Sequence, residues 1–355
     1  MPSIAIAEEY NDNLFLNNQN RQGDLITGFS PAITLIVNRP SYRLSGGYTF
    51  TAEVYARESR FNNVFGRQNL VLSGLYRATR QLTLTVFDQF ALNRNTNLVA
   101  SPGFATGRQE SWNNTFGSGM TWQMTPRTSL SLGASYSMLR FQGSGRDSDA
   151  YGLQSSIGHV LTPRLTGVIG YGFTYLDLRG QEHSTTHTPT LGVSYRLTPT
   201  LTGSVTGGSA ITELGGETFV SPAATVSLVQ ALRFGSASVQ YTRGVSVAGG
   251  FGGTTDAQSV SGTLALPALR RGLFVVLSPT YSTAESVSGR QTGHVDVRAL
   301  TLNLGATYRI ARSVSVFGGY TFFQQHTGGS SSVQIDADQD RLRFGVQFGY
   351  PINFD

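Results

Sequence analysis

Apolar and polar residues alternate with a period of two along most of this chain. Near the C-terminus, Leu342, Phe344, Val346, Phe348, Tyr350, Ile352 and Phe354 share one face, and Arg341, Arg343, Gly345, Gln347 and Gly349 share the other. Residues 300–309 repeat the pattern, with Leu300, Leu302, Leu304, Ala306 and Tyr308 against Thr301, Asn303, Gly305, Thr307 and Arg309. So do residues 129–138, where Leu130, Leu132, Ala134, Tyr136 and Met138 oppose Ser129, Ser131, Gly133, Ser135 and Ser137. Side chains point to opposite faces of a strand in turn, so strict alternation predicts strands with one apolar face.

Short breakers punctuate these segments: Asn38-Arg-Pro-Ser, Ala78-Thr-Arg, Thr125-Pro-Arg, Thr162-Pro-Arg, Thr198-Pro-Thr, Arg233-Phe-Gly, Arg270-Arg-Gly and Ala311-Arg-Ser. Pro126, Pro163 and Pro199 are spaced 37 and 36 residues apart, which suggests a repeating hairpin. Proline suits a tight turn and damages a strand interior. Longer polar segments lie near 11–22, 56–68, 93–109, 143–149, 179–187, 213–216, 249–256, 286–294 and 326–336. Eight tight turns and nine longer loops predict 18 strands in one domain spanning residues 1–355. Each strand runs roughly 10–15 residues, well beyond the usual soluble strand. Short turns at one end and longer loops at the other is the arrangement of a transmembrane antiparallel β-barrel.

Composition decides which solvent each face meets. Only 13% of the residues are charged, about half the proportion of a soluble domain. The polar face is Ser, Thr, Gly, Asn and Gln, whereas a sheet face in open water carries far more charge. A hydrated lumen of small neutral groups accounts for it better, and the apolar face then meets lipid. Tyr42, Trp112, Trp122, Tyr136, Tyr195, Tyr308 and Tyr350 lie near strand ends, where an aromatic girdle belongs. Asp88, His159 and Arg243 share parity with apolar neighbours; a bulge, an interfacial position or a shifted register would explain each.

The 26 basic residues are all arginine and are scattered, with no basic run to hold nucleic acid. Cysteine is absent, which removes disulfides and thiolate metal sites. The start, Met1-Pro-Ser-Ile-Ala-Ile-Ala, has neither a basic nor a long apolar run, so an exported chain would have lost its signal peptide.

The run Gln347-Phe-Gly-Tyr-Pro-Ile-Asn-Phe354 resembles the C-terminal assembly signal of bacterial outer-membrane proteins, apart from the extra Asp355. The run Glu8-Glu-Tyr-Asn-Asp12-Asn-Leu-Phe-Leu16, followed by Asp24 and Ser30-Pro31, is similar to the opening of the β-barrel porin 2 family. The resemblance implies a Gram-negative outer-membrane barrel, often found beside exopolysaccharide genes. Its implied partners are outer-membrane lipid and lipopolysaccharide, the barrel assembly machinery acting on the C-terminal strand, and polysaccharide export components.

Candidate chemistry is sparse. Asp336, Asp338 and Asp340 mimic the start of a calcium loop, but position six is Arg341 and position twelve is Gln347, so an acidic rim is expected. His183 and His187 have ligand-like spacing without a completing ligand set. His294, Asp296 and His326 lie at outer loops, where a hydrolase site is conceivable, but no nucleophile elbow accompanies them. The expected pore-lining residues are Arg43, Glu53, Ser131, Ser135, Arg196, Thr301, Asn303, Arg309, Arg343 and Gln347. The arginines either favour anions or sugars, or brace the wall by pairing with acids such as Glu53. The loop at 93–109 is expected to fold into the lumen, with an external cap as the alternative. The expected function is passive passage of small polar solutes or of an exported polysaccharide, with no cofactor. An outer-membrane enzyme with a rim site and a non-conducting, partner-binding barrel are the alternatives.

Overall fold

The structure, a computed structural model, describes residues 1–93, 104–105, 109–143, 145–180, 182–247, 253–287, 295–328 and 335–350. Eighteen strands account for nearly all of it. They are β1 (Pro2–Asn11), β2 (Asp24–Asn38), β3 (Tyr42–Tyr55), β4 (Asn63–Arg77), β5 (Leu82–Asn93) and β6 (Glu110–Thr125). Then come β7 (Thr128–Gln142), β8 (Ser148–Thr162), β9 (Leu165–Leu178), β10 (Ser184–Arg196), β11 (Leu201–Leu214) and β12 (Glu217–Leu232). The last six are β13 (Gly235–Val247), β14 (Thr254–Arg270), β15 (Leu273–Ser286), β16 (Asp296–Arg309), β17 (Val314–Thr327) and β18 (Ala337–Gly349). A single 3-10 turn, Ser59–Phe61, is the one helical piece among the described residues.

Each strand pairs antiparallel with its neighbours in sequence, and β1 pairs with both β2 and β18, closing one 18-stranded barrel. Closure leaves no unpaired backbone edge, the condition for a sheet in hydrocarbon. All eight predicted tight turns join strands at one end, and the nine other connections lie at the opposite end.

Three connections differ from expectation. Strand β4 begins at Asn63 rather than near 69, because its first residues continue past a register break between Thr51 and Glu53 of β3. Strand β10 begins at Ser184 within the expected loop at 179–187; its outward residues there, Thr185 and His187, are polar and hide the alternation. The segment at 213–216 contracts to Gly215-Gly216, with φ of +59° and +77°, a two-residue hairpin turn that only glycine adopts without strain.

The register fixes the two faces. Leu342, Phe344 and Phe348 point outward and are half exposed, as are Ile4, Ile6, Leu153, Ile169, Leu191 and Val205. The inward face carries the Ser, Thr, Gly and Gln ladder, including hydroxyl pairs such as Ser45 with Ser73 and Ser204 with Ser227. Asp88, His159 and Arg243 do face outward; no register break falls near Asp88 or Arg243, and the one next to His159 begins just beyond it, between Val160 and Thr162. Each has a partner instead: Asn114 Nδ2 donates to Asp88 at 2.8 Å, Thr128 Oγ1 lies 2.9 Å from His159 Nδ1, and Arg243 pairs with Asp256 at 2.9 Å.

The main buried apolar cluster sits inside the barrel at its loop end. Inward residues Ala284, Val297, Ala299, Phe323 and Ala337 pack there with Leu16 of the β1–β2 connection and with Phe104 and Ala105 of the β5–β6 connection.

Candidate functional site

The inner wall from β18 through β1 to β4 holds the densest charge in the lumen. Arg341 and Arg343 alternate with outward Leu342 on β18, and Arg343 stands opposite Glu9 on β1. Glu53 projects inward from β3 and is 3% exposed. Arg67 of β4 lies 2.6 Å from Glu53 and 3.5 Å from Glu9. The pair with Glu9 spans β2 and β3, where Gly28 presents no side chain. Tyr55 O–H donates to Glu53 at 3.0 Å.

Two arginines of this wall, Arg341 and Arg343, have no close ion-pair partner among the described residues, and the buried Nε of Arg341 has no hydrogen-bond partner there. The Arg343 guanidinium lies 5.6 Å from the centre of the inward Phe317 ring. Water in the lumen is left to meet these cations, since an unpaired buried guanidinium is costly.

The predicted pore-lining residues all take inward register positions, but they fall at different heights. Arg43, Arg196 and Arg309 stand at the turn end, at the first or last two residues of β3, β10 and β16. Among the described residues, Arg43 Nε reaches only Asn38, at 3.3 Å. Gln347 lies near the same end, within 3.5 Å of Ser3. Ser131 and Ser135 belong to the neutral wall of β7, and Thr301 and Asn303 to that of β16, where Thr321 donates to Asn303 at 3.0 Å. Glu53 and Arg343 alone join the charged wall. Glu9, Arg67 and Arg341 complete it. Period-two parity along β1 and β18 marks Glu9 and Arg341 as inward. No pattern marks Arg67, because inward Val71 and Leu75 make both faces of β4 apolar.

Two connections enter the lumen from the loop end. Ala105 is fully buried; its N–H donates to Gln325 Oε1 at 2.8 Å and its carbonyl accepts from Gln325 Nε2 at 2.9 Å. Gln325 is an inward residue of β17, so the β5–β6 connection reaches the far wall, as expected of 93–109. The rest of that connection, residues 94–103 and 106–108, lies outside the described residues. The β1–β2 connection folds in beside it. Asn13 Nδ2 donates to the Asp338 carbonyl, the Asn13 carbonyl accepts from Gln339 Nε2, and Arg21 pairs with Asp12 and Asp338. Asp12 also accepts from the Asp340 backbone N–H. The segment that carries the porin resemblance is thus the clasp between β1 and β18.

The other candidates resolve locally. Asp338 is held by Arg21 and Asn18, Asp340 accepts from Tyr320, and Asp336 lies 2.9 Å from His326, so the three aspartates point to three different partners. His183 stacks on Tyr175 and His187 meets Tyr171. Among the described residues no cluster of three metal-ligating side chains occurs. His294 lies outside the described residues, as do residues 351–355 of the C-terminal signal.

No protein-family pattern matches the sequence, and no curated protein matches it either. Solved structures of similar shape include Pseudomonas aeruginosa OccK9 (OpdG), at 12% identity and a TM-score of 0.48 over 98% of this chain and 97% of that one. Pseudomonas aeruginosa OpdO gives 13% and 0.46 over 98% and 96%. Acinetobacter baumannii OccAB3 gives 12% and 0.45 over 98% of both chains. A likeness at this level carries no assignment of activity.

Proposed function

We propose that the chain is an outer-membrane channel that passes small polar solutes through its lumen and favours anions. One observation carries the reading: Arg341 and Arg343 stand on the inner wall without close ion-pair partners among the described residues, in a charged patch where three arginines (Arg67, Arg341, Arg343) face two carboxylates (Glu9, Glu53). The half-exposed apolar exterior supports a membrane setting, since a water-soluble barrel would not display a continuous band of Leu, Ile, Val and Phe. A wall of hydroxyls and amides keeps solutes hydrated, and the surplus of guanidiniums over carboxylates on this wall raises the local concentration of anions.

Small solutes suit the lumen better than a polysaccharide strand, because two connections pack against its inner wall at the loop end. An enzymatic rim site has no support in the contacts of His326, whose ring lies 2.9 Å from Asp336 with no nucleophile beside it among the described contacts.

Liposome swelling tests the reading. Vesicles carrying the protein should swell in arabinose and at least as fast in gluconate, despite the larger size of that anion. Absence of swelling in both solutes would favour a non-conducting barrel that serves a partner.

A further inference from the structure

We propose that the outward face of β5–β10 binds a glycolipid, with an acyl chain in a recess of the wall and the sugar headgroup on a shelf of aromatic rings above it. The proposal does not depend on what crosses the lumen.

The shelf spans four neighbouring strands. Tyr151 of β8 stands opposite Tyr136 of β7 on one side and Tyr175 of β9 on the other. Ring centres are 4.9 Å apart for Tyr136 and Tyr151, and 6.0 Å apart for Tyr151 and Tyr175. His183 then stacks on Tyr175 at 5.6 Å. Below them His187 lies 5.2 Å from Phe173 and accepts or donates to Tyr171 at 2.6 Å. Of the other outward tyrosines, Tyr10, Tyr241, Tyr281 and Tyr320 make no ring–ring contact among the described residues, and Tyr48 meets only Phe50, which continues to Phe65 on β4. An interfacial girdle needs only scattered rings, so a run of three tyrosines joined across three strands and bordered by fixed ion pairs asks for a further reason.

Fixed polar groups border the rings. Arg140 holds Asp149 at 2.6 Å, and Tyr136 O–H donates to the same carboxylate at 2.7 Å. Arg179 lies 3.4 Å from Asp147. Ring faces receive the C–H face of a pyranose, while planar carboxylates and guanidiniums receive its hydroxyls and any phosphate.

The recess lies directly below. It has a volume of about 720 Å³ and is walled by Leu84, Met120, Leu132 and Leu153, with Tyr171 at its border. The small outward side chains Ser118, Ala134 and Ser155 occupy register positions between those larger ones and make the furrow. Leu153 is two residues from Tyr151 on the same strand, so the furrow opens onto the shelf.

One kind of molecule uses both features. A soluble saccharide would leave the apolar recess empty. A phospholipid would leave the shelf's hydroxyl partners unused. An amphiphile with sugars at the loop end and chains along the wall satisfies both.

The test is native mass spectrometry of the folded, delipidated protein in micelles with equimolar hexa-acylated lipid A and phosphatidylglycerol. The wild type should retain lipid A over phosphatidylglycerol on the order of fivefold. The double variant Tyr151→Ala/Tyr175→Ala, and separately Ala134→Trp, should bring retention to parity, while Tyr281→Ala on the other wall keeps the preference. Ser118→Leu replaces Ala134→Trp if that variant does not fold, as read from heat-modifiable migration. No preference in the wild type, or an equal loss in Tyr281→Ala, would overturn the proposal.

Discussion

Gln325 grips the backbone of Ala105 with both atoms of its amide, accepting from the N–H at 2.8 Å and donating to the carbonyl at 2.9 Å. A single side chain thereby supplies what a partner strand would, and ties the β5–β6 connection to the opposite wall. Beside it, Phe104 and Ala105 share the apolar cluster with Phe323 and Val297. The hydrogen bonds are buried, so removing Gln325 leaves two backbone groups unsatisfied, at about 1–3 kcal/mol for each group. Gln325→Ala should raise single-channel conductance while the barrel keeps its heat-modifiable migration. Unchanged conductance would show that this connection does not narrow the path.

The assignment of faces makes a sharper demand on β18. Val346 points outward beside Ile6 and Val316, and Gln347 points inward. An arginine on the lipid face near the midplane costs about 2–4 kcal/mol. Val346 stands toward the turn end of β18, between the midplane and the interface, so Val346→Arg should lower stability by about 1–3 kcal/mol in lipid refolding, and Gln347→Arg should be tolerated. Equal stability would reject the register.

Arg67 serves both Glu53 and Glu9. Removing one partner of a buried ion pair strands the other, at about 3–5 kcal/mol. Arg67→Ala should therefore destabilise the barrel by about 3 kcal/mol in denaturant unfolding, whereas Arg21→Ala, whose ion pairs are exposed, should cost under about 1 kcal/mol. Similar losses in both would mean that the Arg67 pairs are too wet to matter.

The aspartates of 336–340 should not behave as a calcium site. Asp338 is already held by Arg21, and Asp340 by Tyr320. Millimolar calcium, or its removal with chelator, should leave the melting temperature in detergent unchanged; a rise of several degrees with calcium would contradict the assignment.

Most of the barrel was legible because lipid on one side and water on the other impose a period of two. The pattern failed where that contrast failed. On β4, Val71 and Leu75 face the lumen while Leu70 and Leu72 face outward, so parity could not single out Arg67. On β10, outward Thr185 and His187 are polar because they belong to the loop-end rim. Inward positions that turn apolar near the loop end, Val297, Ala299 and Phe323, do carry a readable signal: something apolar must enter the lumen to cover them. The contact of Gln325 with Ala105 joins residues 220 apart and has no local signature. The aromatic shelf is similarly invisible, because ring contacts across β7–β10 depend on register rather than on spacing along the chain.

Reversal potential in a planar bilayer under a tenfold potassium chloride gradient tests the channel reading most directly. With Arg341 and Arg343 free of close ion pairs on the inner wall, the wild-type channel should be anion-selective. Arg341→Gln/Arg343→Gln should shift the potential toward zero with the barrel intact. A cation-selective wild type, or a potential unmoved by the double substitution, would contradict the account.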